Sequence, residues 1–296
     1  MFFIRLFSRI PLPVLYFWGD VMAFIIFHII RYRRKVVEKN LALAFPEKSL
    51  AERYKIAKRF YINLGELVVE SIKSLTISRE DMQRRVVIKN PEVLDNRLEK
   101  GTSVIVLTSH NNNWEWLLLG WSVHLKWTVD AVYKPISFKP IDHFMTTIRS
   151  RFGAVPIPMN NILREAILRK NDPRVIALVA DQRPWGTDSN YWTTFFDKDT
   201  PFFNGGERLA KKMQFPIIYA TLLRRKRGYY EAVAYELEDP PYTTDGREHT
   251  ATQKFVEIVE NQIRQYPDNW LWTHDRWRHG ERKQSNNNET QNKVSS

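Results

Sequence analysis

A histidine and a carboxylate five positions apart, His110 and Glu115, lie in the segment Ser109-His110-Asn111-Asn112-Asn113-Trp114-Glu115. On a continuous helix, five residues rotate a side chain by about 140°, so the two groups would diverge. They can meet only if His110 precedes a helix and Glu115 lies about one turn into it. A carboxylate that holds imidazole in one tautomer makes the histidine a directed general base. Three asparagines suit such a turn, because Asn caps helix N-termini and tolerates unusual backbone angles. Asn113 therefore joins the candidate substrate-binding residues, and the helix end is a place for an anion. The plain alternative is a capping loop with a surface histidine. No second His/Asp cluster stands nearby at ligand spacing, so no metal is expected. A Ser–His–Asp hydrolase would need a Gly-x-Ser-x-Gly elbow, which is missing.

The elements that must position this pair alternate between two patterns. Strand-like runs are Val86–Ile88, Val104–Thr108, Val129–Tyr133, Val175–Ala180, Ile217–Leu223 and Tyr229–Tyr235. Helix-like stretches fall near Glu92–Leu98, Trp114–Val123, Ile141–Arg151, Asn161–Arg169, Gly206–Gln214 and Thr252–Tyr266. This alternation predicts one α/β domain with a central mixed or parallel sheet flanked by helices. Catalytic groups collect at the carboxyl ends of such strands. His110 follows one strand, and Asp181 and Gln182 follow another, which makes both of the latter site candidates. Gly205-Gly206 opens a helix and would allow a backbone to approach a substrate or to make a tight turn. Upstream, Ser49-Leu-Ala-Glu52 reads as a capping box, and Ile56, Phe60, Leu64, Leu67, Val68 and Ile72 form an apolar helical stripe for packing.

The N-terminal end is different in kind. Ile10–Ile30 is an apolar run broken by Asp20 and His28, with Arg5 and Arg9 before it and Arg31, Arg33, Arg34 and Lys35 after it. It has the roughly 20 residues that span a bilayer, although a central carboxylate costs about 2.5–3.5 kcal/mol on insertion scales. The length, the aromatics and the following Arg-Tyr-Arg-Arg-Lys argue against a cleaved signal peptide. The expected organisation is an anchor with a basic flank over 1–35, an α/β domain over 36–280 and a disordered polar tail over 281–296. The charge excess after the apolar run favours keeping the body on the cytoplasmic side.

The 296 residues carry 45 Lys+Arg against 33 Asp+Glu, a formal net charge of +12, and no cysteine. A disulfide framework, a thiolate nucleophile and a cysteine-ligated metal or cluster are thereby excluded. The charge calls for an acidic partner: nucleic acid, anionic lipid or an acidic carrier protein. An RNA-binding signature is missing, and nucleic acid is not expected. Arg224-Arg-Lys-Arg227 is the densest basic cluster, either a docking patch for carrier or membrane, or a solvated turn. Trp270, Trp272 and Trp277, with His274 and Arg276, read either as an interfacial belt or as terminal packing.

In order along the chain, several segments resemble the lysophospholipid acyltransferase superfamily, in its lipid A biosynthesis (late, or secondary) acyltransferase branch. They are Arg33-Arg-Lys-Val-Val-Glu-Lys-Asn40 through Pro46, Phe60-Tyr61-Ile-Asn63-Leu-Gly65-Glu66, and His110 through Glu115 as the family's His-x4-acid signature. Val132-Tyr133-Lys134-Pro135, Arg149-Ser-Arg151-Phe-Gly153, Ala180-Asp181-Gln182-Arg-Pro184 and Trp270-Leu-Trp272-Thr-His274-Asp-Arg276-Trp277 follow. The resemblance covers nearly the whole chain, to about Gly280. It implies an inner-membrane enzyme that moves a fatty acyl chain from an acyl thioester, usually on acyl carrier protein, to a hydroxyl of a lipid A precursor or similar lipid. It implies His110 as general base, Glu115 as its orienter, direct attack without a covalent acyl-enzyme, and no cofactor beyond the thioester co-substrate. Arg149 is the first candidate for acceptor phosphate or oxyanion, with Arg151 and Lys134 as alternates, because guanidinium pairs bidentately with such groups. Lys134 stands where the family often has Arg. A lysophospholipid, aminoacyl lipid or glycolipid acceptor, or a non-enzymatic basic membrane or nucleic-acid module, are the alternatives.

Overall fold

The computed structural model describes residues 2–184, 190–242 and 249–278; the expected tail over 281–296 lies outside them. The chain begins with α1 (Phe2–Phe7) and α2 (Leu12–Phe24), which continues as a π-helical turn over Ile25–Ile29. Next come α3 (Arg34–Ala44), α4 (Leu50–Lys73) and α5 (Arg79–Arg85), then β1 (Val86–Ile88) and α6 (Glu92–Leu98). The centre holds β2 (Val104–Thr108), α7 (Trp114–His124), β3 (Val129–Tyr133), α8 (Lys139–Arg149), β4 (Val155–Pro158), α9 (Ile162–Leu168) and β5 (Val175–Val179). A hairpin of β6 (Asn190–Phe195) and β7 (Lys198–Phe203) leads to α10 (Gly205–Met213), β8 (Ile217–Lys226), β9 (Tyr229–Glu238) and α11 (Thr250–Gln265).

Seven strands form one sheet in the order β1-β9-β8-β2-β5-β3-β4. All its pairs are parallel except β8 with β9. The mixed α/β architecture read from the sequence is the one observed. β2 is buried at every position, as a strand covered on both faces must be. Alternation divides it: Ile105 and Leu107 join one core with α10, α11 and the C-terminal tryptophans, while Val104 and Val106 join a second core with α7. Strands β4 and β7 carry Pro156, Pro158 and Pro201, which break the strand pattern in the sequence; among the described residues, β6 pairs only with β7.

The capping box on α4 forms, with the Ser49 backbone N–H donating to Glu52 Oε2 at 2.8 Å. The buried face of α4 is not the apolar stripe alone. It includes Ala57, Phe60, Tyr61, Gly65 and Val69, together with the carboxylates Glu66 and Glu70. Ile56 and Leu64 of the expected stripe are only partly buried. The reason lies in what packs there: α2 covers α4 so closely that a Cβ on Gly65 would stand 2.4 Å from the Gly19 carbonyl oxygen. The apolar segment therefore lies along the α/β body. Asp20, the residue that weighs against a bilayer crossing, pairs with Arg227 at the β8–β9 turn. The other face of the segment leaves Val14, Phe17, Trp18, Phe24, Ile29 and Ile30 exposed.

Candidate active site

Parallel pairing builds the site. Thr108 is in register with Val179, and Ala180 continues the ladder by donating its N–H to the Thr108 carbonyl at 2.9 Å. His110 and Asp181 each stand two residues beyond that matched pair, and their side chains meet. His110 Nδ1 lies 2.7 Å from Asp181 Oδ1, with Asp181 wholly buried and His110 16% exposed. A carboxylate only accepts, so Nδ1 carries the proton and Nε2 keeps its lone pair. The Gln182 side-chain amide faces that lone pair, Nε2 to Nε2, at 3.3 Å. The second oxygen of Asp181 accepts from the Trp270 indole N–H at 2.6 Å. Burial alone would push the Asp181 carboxyl up, but the His110 and Trp270 donors outweigh it and hold the group below its ordinary range.

The loop that carries His110 is pinned from several sides. Leu271 N–H donates to the His110 carbonyl at 3.1 Å, and Asn112 N–H to the Asn269 carbonyl at 2.8 Å. Asn112 adopts φ +50°, a conformation that Asn tolerates better than most residues. Asn113 is the N-cap of α7, its side-chain oxygen accepting from Trp116 N–H at 2.9 Å. Behind the loop, Ser109 Oγ and the Tyr219 hydroxyl are 2.9 Å apart, and Tyr219 donates to Gln262 Oε1 at 2.5 Å.

Glu115 takes a different partner. It is buried in the first turn of α7, where Arg149 at the end of α8 grips it with Nε–Oε2 at 2.9 Å and Nη2–Oε1 at 2.6 Å. The Trp114 indole N–H adds a third donor at 3.1 Å. Burial opposes the Arg149 charge, yet Glu115 more than offsets it and the guanidinium stays above its usual value. Two clefts adjoin here. One is narrow and apolar, about 60 Å³, and is lined by Val106, Leu118, Trp121, Val129 and Val175, with Glu115 and Arg149 also on its wall. The other, about 20 Å³, is rich in polar side chains, with Asn63, Glu66, Asn112, Arg224 and Asn269 beside His110. Trp114 borders both and meets the His110 ring edge-on at 4.7 Å.

An imidazole held by a buried carboxylate stands on the wall of the polar cleft, next to the Trp114 that borders both clefts, and the chain's relatives bear on what it serves. Residues 1–279 match the family of bacterial lipid A biosynthesis acyltransferases. This chain belongs to that family and is an acyltransferase. It is 24% identical over 275 residues to a lipid A biosynthesis palmitoleoyltransferase of Escherichia coli (strain K12), covering 92% of this chain and 88% of that one. The Shigella flexneri lipid A biosynthesis acyltransferase gives the same figures, 24% identity with 92% and 88% covered. A lipid A biosynthesis lauroyltransferase of Escherichia coli (strain K12) is 22% identical over 274 residues, with 91% and 87% covered.

Against the sequence expectations, the candidate site is rearranged in its pairings. Asp181, not Glu115, contacts and orients His110; Glu115 holds Arg149. The turn through Asn112 and Asn113 sends the imidazole toward the end of β5, while α7 carries Glu115 toward α8. Arg151 leaves the site: it donates to the carbonyls of Leu75 and Ile77 between α4 and α5. Lys134, just beyond β3, is not among the residues lining either cleft. Gly206 serves packing, since a Cβ there would stand 2.7 Å from Leu107 Cδ2. Within the basic cluster, Arg224 and Arg227 face Glu66 at 2.7 Å each, and Arg225 faces Glu231 at 3.3 Å. Intramolecular carboxylates therefore already offset most of that patch.

The C-terminal aromatics are core residues. Trp270 and Trp272 are buried, and Asn40 of α3 donates to the carbonyls of Trp272 and His274 at 2.9 and 2.7 Å. His274 accepts a hydrogen bond from Arg183 N–H at 3.2 Å, and burial pushes its pKa down to about 4. Sequence reasoning missed Trp270 as the second partner of Asp181, and Tyr219 and Gln262 as props of the loop. The tryptophan was visible; its distance in sequence from Asp181 hid the contact.

Proposed function

We propose that this enzyme transfers a fatty acyl chain from an acyl thioester, carried by acyl carrier protein, to a hydroxyl of a lipid A precursor. The observation that carries the reading is the His110 Nδ1–Asp181 Oδ1 contact of 2.7 Å, with His110 on the wall of the polar cleft and against Trp114, which borders the apolar one as well. The acyl chain enters at the apolar cleft, which must widen to hold it, and the acceptor headgroup approaches from the polar one. The acceptor hydroxyl replaces the Gln182 amide at His110 Nε2. His110 removes its proton while the oxygen attacks the thioester carbonyl carbon, and the carbon–oxygen bond forms. The imidazolium gains a stabilising charge from Asp181. The tetrahedral oxyanion needs a positive neighbour, and Arg149, held by Glu115 on the wall of the apolar cleft, is the candidate for it. Collapse breaks the carbon–sulfur bond, and the departing thiolate takes the proton back from His110. No acyl-enzyme forms and no cofactor takes part.

The reaction belongs at the cytoplasmic face of the inner membrane. What supports this is the exposed apolar face of α2 and the following turn, flanked by Arg31, Arg33, Arg34 and Lys35. With its opposite face locked on α4, the helix lies in the interface instead of crossing it. Mass spectrometry of total lipids from cells with and without the gene tests the acceptor. Loss of one acyl chain from lipid A is expected. Unchanged lipid A with an altered phospholipid, aminolipid or glycolipid profile would move the activity to another acceptor.

A further inference from the structure

Glu70 is fully buried on α4, one shell behind the reacting groups, and its carboxylate is met by donors from three other elements. The Tyr16 hydroxyl of α2 donates to Oε1 at 2.7 Å. Asn113 Nδ2 donates to Oε2 at 2.6 Å, and the Tyr230 hydroxyl of β9 lies 3.1 and 3.0 Å from the two oxygens. A carboxylate accepts and does not donate, so Glu70 decides which way the Asn113 amide faces. With Nδ2 turned to Glu70, Oδ1 is left to cap α7 through Trp116 N–H. The same residue's backbone carbonyl accepts from the Trp116 indole at 3.1 Å, which clamps the first turn of α7 to α4 a second time. That turn carries Trp114 and Glu115 and follows His110 through the Asn111–Asn113 loop. Burial raises the Glu70 carboxyl to about 7, and the three donors pull the other way, towards the charged form that accepts from them.

A continuous hydrogen-bonded path therefore runs from the apolar helix to the catalytic loop: Tyr16, Glu70, Asn113, and the N-terminus of α7. We propose that Glu70 is a positioning residue that transmits the docking of α2 on α4 to the His110–Glu115 loop, so that transfer is fast only while Tyr16 and Asn113 both hold its carboxylate. For its kinetic readout the inference rests on the acyltransferase reading above.

The test is an exchange of donor and acceptor in the full-length enzyme. Glu70→Gln presents an amide to the Asn113 amide, and Asn113→Asp presents a carboxylate to Glu70. The double variant restores one donor and one acceptor, reversed, and Asp caps a helix as well as Asn. Each single variant is expected to lower kcat by about ten- to a hundredfold with the KM for the thioester nearly unchanged. The double variant is expected to regain most of the loss. Hydrogen exchange across residues 110–117 should rise in the singles and return in the double. Tyr16→Phe should lower kcat and raise the same exchange while vesicle cosedimentation is unchanged.

Single variants with wild-type kcat and exchange, or a folded double no better than the worse single, would overturn the proposal. If Glu70→Gln does not fold, Tyr16→Phe decides, and wild-type kcat and exchange in that variant overturn it. A wild-type enzyme that acylates no lipid A precursor fails the functional reading instead, and the exchange comparison alone then decides the role of Glu70.

Discussion

Between His110 and Asp181 the proton has one place to rest, on Nδ1, and every role given to the histidine depends on it. Asp181→Asn keeps the shape but offers an amide that can stabilise the wrong tautomer. Turnover should fall by about 10²- to 10⁴-fold with the fold intact, as judged by circular dichroism. His110→Ala should abolish transfer altogether. Trp270→Phe removes only the donor to the second Asp181 oxygen, so a smaller loss of about tenfold is expected. Glu115 and Arg149 act as one bidentate unit, and a double-mutant cycle exposes this. Glu115→Gln combined with Arg149→Met should cost little more than either change alone, whereas combining either with Asp181→Asn should be closer to additive. Full additivity between Glu115 and Arg149 would dissolve the pair.

At the scale of elements, the contact that matters most is α2 against α4. Gly65→Ala ought to help a helix by up to about 1 kcal/mol on propensity alone. Its Cβ would instead meet the Gly19 carbonyl oxygen at 2.4 Å, a backbone atom that cannot step aside. The clash wins, and a net destabilisation of about 1–3 kcal/mol is expected in denaturant unfolding. A neutral or stabilising result would mean that α2 is not held there. The apolar pattern of both helices was plain in the sequence. Which residues of α4 face α2 was not, because Gly65, Glu66 and Glu70 are read by periodicity as the polar or neutral side. They are buried because Arg224, Arg227, Tyr16 and Tyr230 arrive from distant segments to complement them.

For the whole molecule, two properties follow from where charge sits. The first is a pH response through His274, which must stay neutral to accept from Arg183. Its folded pKa of about 4 lies below the ordinary histidine value, 6.5. The folded state therefore binds fewer protons than the unfolded one, so the contribution is complete above about 6.5 and is lost as pH falls through 4. Allowing for screening at this half-buried site, the loss is of the order of 1–2 kcal/mol. Unfolding followed from pH 7 to pH 4 should show the slope in wild type and a weaker one in His274→Asn. The second property is the apolar face of α2 with its basic flank. Trp18→Glu should reduce cosedimentation with vesicles containing phosphatidylglycerol by at least about tenfold, and salt should weaken what remains. Binding untouched by either change would remove α2 from the membrane.

The α/β class, the position of most elements, the capping of α4 and α7, and the short list from which the site is drawn could all be read from the amino-acid order. Those features depend on periodicity, on turn chemistry and on residues close together in the chain, all of which can be read in one dimension. The pairings depend on the folded arrangement. His110 meets Asp181 because β2 and β5 are parallel neighbours in matched register, although more than half of the sheet's connections separate their order in the chain from their order in space. Glu115 meets Arg149 because α7 and α8 pack together, and Glu70 is buried because three remote donors converge on it. Such contacts join residues whose spacing along the chain carries no trace of their distance in space.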